Sequence, residues 1–456
     1  MTIFDYIFMH AQKSPERMAL KSEKNSITYG RLLIQINTYG EYLQRNTCHQ
    51  GDRVILKIKD RQDWFITFLS LLAIDCLVIP VPPDITDYEL ETVKADTKAD
   101  AVVDQYIHVE PSEKAFPSKS YTGGIIHMTS GTTGKQKYCV RNIMQLTIEG
   151  EMYQKTFQLY ESDKILALPP LYHSYALGAG GMSALVTGAC LYTLDTFVPR
   201  RALSVIQEEK ITILIIVPVM AKLLCNSYTA SEEQLKSVRL SIVGAGAISK
   251  ELYEDFYQKF GITLLSNYGS TETGAIISRV EKGPYNSVGK PMEGVMIKVL
   301  DENKRPVSIG EQGKLWVKCP NMFTGYLGMT KRPKDEEGWF PMHDIVYMNQ
   351  SGALFICGRE CGIINIGGQK VNPKEVEEVI LNIPKVKDCA VMEYKDKVKA
   401  FVAAEGLTPE DIRKECMIKL SNYKVPSMIE FIQNIPRNEL GKVQYRILTD
   451  GVKNGC

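Results

Sequence analysis

The segment 128–137 reads Met-Thr-Ser-Gly-Thr-Thr-Gly-Lys-Gln-Lys. Hydroxyls, glycines and a cation at that density suit the binding of a polyphosphate. Glycine lets the backbone curl close to an anion, while hydroxyls and main-chain N–H groups donate to its oxygens. Thr129, Ser130, Gly131, Thr132, Thr133 and Gly134 are the candidate ligands, and Lys137 adds a point charge. The Walker A pattern G-x-x-x-x-G-K-[ST] does not fit. Gly131 and Gly134 are three apart, and Lys135 is followed by Gln136, so no hydroxyl stands where that loop holds magnesium. A flexible surface loop is the alternative. It is disfavoured by the apolar run 124–128, which predicts a buried strand feeding the loop.

A second constellation, Asn267-Tyr268-Gly269-Ser270-Thr271-Glu272-Thr273, follows the apolar run 262–265. A tyrosine ring can stack on a purine, a threonine can donate to a phosphate, and a glutamate is a hard oxygen ligand for Mg2+. Taken alone, the same residues could be a turn with a helix N-cap at Ser270 or Thr271. Gly244, Ala245 and Gly246 would let the backbone approach a flat base, a weak signal because a glycine pair after a strand is common.

Together and in this order, these segments resemble those of the AMP-forming adenylating enzymes. That superfamily holds acyl- and aryl-CoA synthetases, aryl-acid adenylases, peptide-synthetase adenylation domains and firefly luciferase. Its phosphate loop is T-S-G-T-T-G-x-P-K-G; here Gln136 replaces the proline and Tyr138 the last glycine, while the lysine is kept as Lys137. The resemblance implies that Tyr268 stacks on adenine, Thr271 contacts phosphate and Glu272 ligates the metal. Asn267, Gly269, Gly244, Ala245 and Gly246 complete the nucleotide site. Met342-His343-Asp344 stands where the family has T-G-D, so Asp344 is expected to hold the ribose hydroxyls, which a carboxylate can accept in bidentate fashion. Arg359 is expected to reach ribose or phosphate. Cys361 falls at the hinge, where the family usually has lysine or aspartate; Gly362 could supply the two backbone states a hinge needs. The segment 367–377 is similar to G-G-x-x-V-x-P-x-E-V-E, which implies that Gly367 and Gly368 line a pantetheine tunnel. The segment 436–442 resembles P-R-x-x-x-G-K, whose lysine reaches the α-phosphate, so Lys442 joins Thr271 and Glu272 as catalytic.

The segment 169–181 matches the family's acid pocket, which would be lined by His173, Ser174, Tyr175, Gly178 and Gly246. Amino-acid activators carry an aspartate at the position of Tyr175. Without it an α-ammonium group would be buried unpaired, which is costly. Tyr175 and Ser174 could hydrogen-bond a ring hydroxyl, and the glycines of 178–181 leave room for a ring or chain. An aromatic acid is the expected substrate, with a fatty or other acyl acid close behind. A carboxylate is already ionised at neutral pH, so the obstacle to attack on the α-phosphorus of ATP is repulsion between anions. Glu272 with Mg2+, the hydroxyl loop and Lys442 would meet it electrostatically. The expected cofactors are ATP and Mg2+, with coenzyme A or a carrier-protein phosphopantetheine as thiol acceptor. A P-loop kinase and a nucleotide-binding protein without turnover are the alternatives from other classes.

The elements that must position these residues follow from periodicity. β-branched runs at 53–57, 76–81, 125–128, 164–168, 211–217 and 240–243 alternate with helical patterns, which predicts an α/β fold of largely parallel sheets. From about residue 287 strands follow one another, predicting a β-rich subdomain, and beyond residue 358 a small mobile α+β domain is expected. The expected division is 1–358 for the adenylating core, 359–362 for the hinge and 363–456 for the cap. A net charge of +1 argues against a nucleic-acid partner held by bulk electrostatics. The eleven cysteines contain no C-x-x-C pair, and no secretory leader or membrane span is visible, so a cytoplasmic protein with reduced thiols is expected.

Overall fold

A computed structural model describes residues 1–107, 122–129, 137–228, 230–329, 333–359, 364–366, 369–394, 397–420, 424–439 and 441–450. The chain divides into two units, Met1–Ile297 with Val317–Phe340, and Lys298–Trp316 with Pro341–Cys456.

The first unit is α/β. One sheet holds the strands Ala101–Val103, Arg53–Leu56, Leu77–Pro80 and Gly124–Thr129 in parallel, continued antiparallel by Lys137–Asn142 and Gly325–Tyr326. A second sheet runs Cys190–Thr193, Lys164–Ala167, Ile213–Ile216, Leu240–Val243 and Leu264–Ser270 in parallel, then turns antiparallel through Gly274–Ser278 and Ser287–Pro291. Strands such as Ile213–Ile216 are buried at every residue, as expected where helices cover both faces of a parallel sheet. The helix Arg61–Ala73 starts at Asp60, whose carboxylate accepts from the N–H groups of Gln62 and Asp63. It is buried from Trp64 to Ala73 and belongs to the main apolar core. No helix among the described residues is long and apolar enough to cross a membrane.

The second unit carries an antiparallel pair, Phe340–Met348 with Leu354–Arg359, and then a small α+β body. There Val386–Tyr394 pairs antiparallel with Lys397–Ala404, and Met428–Phe431 adds a parallel strand. Its helices begin where their caps dictate. Pro373–Leu381 starts with proline behind an Asn372 cap, and Pro409–Lys419 with proline behind a Thr408–Asp411 capping box. Val376, Ile380, Val391, Ala400, Ile412 and Cys416 pack into one core between them.

Candidate active site

The strands Lys164–Ala167, Ile213–Ile216, Leu240–Val243 and Leu264–Ser270 run in the same direction, and in open α/β sheets ligands collect beyond such carboxyl ends. The segments 169–178 and 244–246 lie just past those ends, and 267–273 is the end of the last strand and the turn after it. Leu264–Ser270 turns back into Gly274–Ser278 as a hairpin, so Ser270 ends a strand, Thr271 lies in the turn, and neither caps a helix. The hairpin needs its glycines: a Cβ on Gly269 would overlap the Gly274 carbonyl, and Gly274 has a φ of +60°.

Three carbonyls pin the turn. Thr271 O accepts from Cys139 Sγ at 3.4 Å, Glu272 O from Phe323 N at 2.7 Å and Thr273 O from Asn321 Nδ2 at 2.6 Å. Burial pushes the Cys139 thiol well up, so it stays a donor. Glu272 Oε1 accepts from the Tyr326 hydroxyl at 2.8 Å, and Lys137 Nζ stands 5.2 Å from the centre of the same ring. Lys137 and Glu272 therefore converge on Tyr326. Burial, and then the charge on Glu272, hold that phenol well above its ordinary pKa, fixing it as donor. Sequence reasoning missed Tyr326, because a contact spanning 54 residues leaves no local signal.

Thr129 and Lys137 face each other as a pair in the hairpin formed by their strands, with the Thr129 hydroxyl 3.4 Å from Lys137 O. Ser130, Gly131, Thr132, Thr133 and Gly134 lie outside the described residues. Tyr138, standing at the family's glycine, is a core residue whose hydroxyl donates to Asp96 at 2.8 Å. Asn267 is committed internally: its amide donates to Ser278 Oγ at 2.5 Å and accepts from Tyr153 OH at 2.7 Å. Tyr268 is half-buried opposite Ile277.

On the acid side, His173 packs its ring 4.6 Å from that of Tyr172, centre to centre, and Ser174 is half-buried. The Tyr175 hydroxyl donates to Ile242 O at 2.8 Å, with Ile216 O at 3.3 Å. Its one proton thus braces the ends of two parallel strands, so toward a ring hydroxyl the Tyr175 oxygen can act only as acceptor. Burial raises its pKa strongly. The ring lies on Gly244, where a Cβ would stand 2.5 Å away. Gly246 is exposed, and Ala245 takes a left-handed φ of +63°. The room expected from the glycines of 178–181 is taken by the protein itself. The Glu149 carboxylate fills the space over Gly178, Ala167 that over Gly180 and the Phe65 ring that over Gly181. These glycines lie in a π-helical turn, Leu177–Met182.

In the second unit Asp344 is buried and its backbone pairs with that of Arg359, whose side chain lies outside the described residues. His343, at the glycine position of T-G-D, adopts a φ of +58°. The backbone therefore keeps the conformation glycine favours although the side chain differs. Cys361, Gly367 and Gly368 lie outside the described residues. In the motif that follows, Glu375 pairs with Lys424 at 2.6 Å, and Glu377 is buried, accepting from Val391 N at 2.9 Å. Lys442 is exposed on a tight turn in which its N–H donates to Asn438 Oδ1 at 2.9 Å. Arg437 anchors that turn through two hydrogen bonds to Asp388, at 2.7 and 2.8 Å, and one to Gly441 O at 2.8 Å.

No group of three or more His, Cys, Asp or Glu side chains among the described residues could cage a metal. A single carboxylate at Glu272 suits Mg2+ instead, which is commonly held by one or two carboxylates together with substrate phosphates.

Residues 7–122 and 124–327 match the AMP-binding enzyme family, and 375–442 match the AMP-binding enzyme C-terminal domain. The 2-succinylbenzoate–CoA ligase of Lactococcus lactis subsp. lactis is 25% identical, over 95% of this chain and 98% of its own length. The oxalate–CoA ligase of Arabidopsis thaliana is 26% identical, over 96% of each chain. Among solved structures, the o-succinylbenzoate coenzyme A synthetase of Bacillus subtilis in complex with ATP and magnesium superposes with a TM-score of 0.85. It covers 98% of this chain and 99% of that one at 22% identity, a likeness of fold. The chain belongs to the AMP-binding enzyme family, as an AMP-forming acid–thiol ligase.

Proposed function

We propose that the protein activates a compact carboxylic acid, aromatic in the first instance, as its acyl-adenylate and passes the acyl group to coenzyme A. The observation that carries this reading is the convergence of Glu272 and Lys137 on Tyr326 at the carboxyl ends of the parallel strands. A carboxylate for the metal and a cation for the phosphates stand there within one side chain of each other. Bound Mg2+ would neutralise phosphate charge; Glu272 would hold it, and Thr271 would donate to the phosphate. Asp344 would take the ribose hydroxyls, and Lys442 would meet the α-phosphate when the acid attacks. The nucleophile is the substrate's own carboxylate, so no general base is required.

Two observations favour a compact acid over a long chain. The space over Gly178, Gly180 and Gly181 is already filled, and Tyr175 is fixed by strand carbonyls. Similar relatives are named for acids as unlike as 2-succinylbenzoate and oxalate, so the acid is to be read from the pocket. The test is pyrophosphate exchange over a panel of benzoates, cinnamates, short dicarboxylates, fatty acids and α-amino acids. Thioester formation is followed with coenzyme A and, separately, with a carrier-protein phosphopantetheine. Preference for a ring-bearing acid with coenzyme A is expected. Preference for fatty or α-amino acids overturns the substrate reading, and ATP binding with no exchange on any acid overturns turnover.

A further inference from the structure

Arg141 and Glu149 form an ion pair at 2.5 Å with both side chains essentially sealed from solvent, 0% and 1% exposed. Nothing in the chemistry above uses it. Burying two charges costs desolvation energy that their attraction only partly returns, and apolar replacements of similar volume are often no less stable. Stability alone therefore gives little reason for it, and its attachments supply another. Arg141 lies on Lys137–Asn142, the strand that begins with the phosphate-loop lysine. Glu149 lies on the helix Ile143–Phe157. Its Oε1 accepts from Ala275 N at 3.0 Å, directly after the turn bearing Thr271 and Glu272. The same oxygen fills the space over Gly178 and stands 2.6 Å from where a Cβ on Gly274 would be. One carboxylate thus touches the phosphate-loop hairpin, the metal-site hairpin and the acid-pocket turn.

We propose that Glu149, held in place by Arg141, is a positioning residue that fixes the Gly274–Ala275 end of the turn and so presets the Glu272 carboxylate before Mg–ATP binds. This rests on reading Glu272 as the metal ligand. A carboxylate serves where a neutral acceptor would be weaker, because a charged acceptor makes the stronger hydrogen bond to Ala275 N and is itself oriented by the guanidinium. The preset turn spares Mg–ATP the cost of ordering it.

The test compares two double variants that each remove both charges, Arg141→Met with Glu149→Gln and Arg141→Met with Glu149→Leu. Glutamine keeps an acceptor for Ala275 N; leucine fills similar volume without one. Melting temperature reports folding, and calorimetric titration of ATP at a series of Mg2+ concentrations, without any acid, reports the site. The glutamine variant is expected to stay within about threefold of wild type in its Mg2+ midpoint, and the leucine variant to need about tenfold more Mg2+. Gly178→Ala, which presses a methyl on the same oxygen but leaves both charges in place, is expected to shift the midpoint the same way. Equal Mg2+ midpoints for the glutamine and leucine variants, or a Gly178→Ala protein that binds like wild type, overturn the positioning role. Glu272→Ala is titrated alongside. If it leaves the Mg2+ dependence intact, the metal assignment falls and this inference with it; if it abolishes the dependence, the double variants judge Glu149 alone.

Discussion

At the scale of single residues, the site depends on side chains that aim others. Tyr326 donates to Glu272 Oε1 at 2.8 Å and places its ring beside Lys137. Tyr326→Phe keeps the ring and removes the donor. The expected outcome is a Mg2+ requirement raised about three- to tenfold, the scale of one net hydrogen bond, with the KM for the acid little changed. Steady-state pyrophosphate exchange against Mg2+ and against acid separates the two.

At the scale of elements, much was legible in the sequence, and what escaped has a physical pattern. The strand Leu240–Val243 and the helices starting at Pro373 and Pro409 were readable because each is set by local alternation, a cap residue or proline. The 267–273 segment suggested chemistry by its residue types but was ambiguous as structure. Its hairpin is fixed by Cys139, Asn321 and Phe323, which lie far away in the chain. The glycines of 178–181 were readable as small but not as filled, because Glu149, Ala167 and Phe65 come from three other elements. Tyr175 shows the same limit: its type suggested a ligand-facing hydroxyl, and the fold spends that hydroxyl on two strand ends. Tyr175→Phe is therefore expected to lower stability by about 0.5–1.5 kcal/mol through loss of the bond to Ile242 O, Ile216 O still accepting from Gly244 N, while the KM for the acid moves less than about twofold. Urea midpoints and acid titrations give both numbers from one preparation. A large rise in KM with unchanged stability would return the hydroxyl to the substrate.

At the scale of the whole molecule, the core that positions the site also sets its tolerance to acid. His127 sits on the strand Gly124–Thr129 that leads into the phosphate loop, and it is 3% exposed. Neither ring nitrogen makes a well-formed hydrogen bond, and burial, with smaller contributions from the Arg141 and His173 charges, outweighs a weak contact with the Tyr172 backbone and holds its pKa down to about 3. In the unfolded chain the same histidine titrates near 6.5. Between those two values the unfolded state binds a proton that the folded state refuses, so stability falls as pH falls through that window. Above about pH 6.5 both states are neutral and the effect vanishes, and below about pH 3 it has run its course. Well inside the window the slope approaches ~1.4 kcal/mol per pH unit for this one group. His127→Met removes the titration while keeping an apolar side chain of similar length. Urea midpoints at pH 7, 6, 5 and 4 are expected to fall more steeply for the wild type than for the variant. Other titrating groups, including the buried His10, are common to both proteins and cancel in the comparison. Parallel slopes would mean that His127 is protonated or solvated in the folded state, and that the strand feeding the phosphate loop is less tightly sealed than its burial indicates.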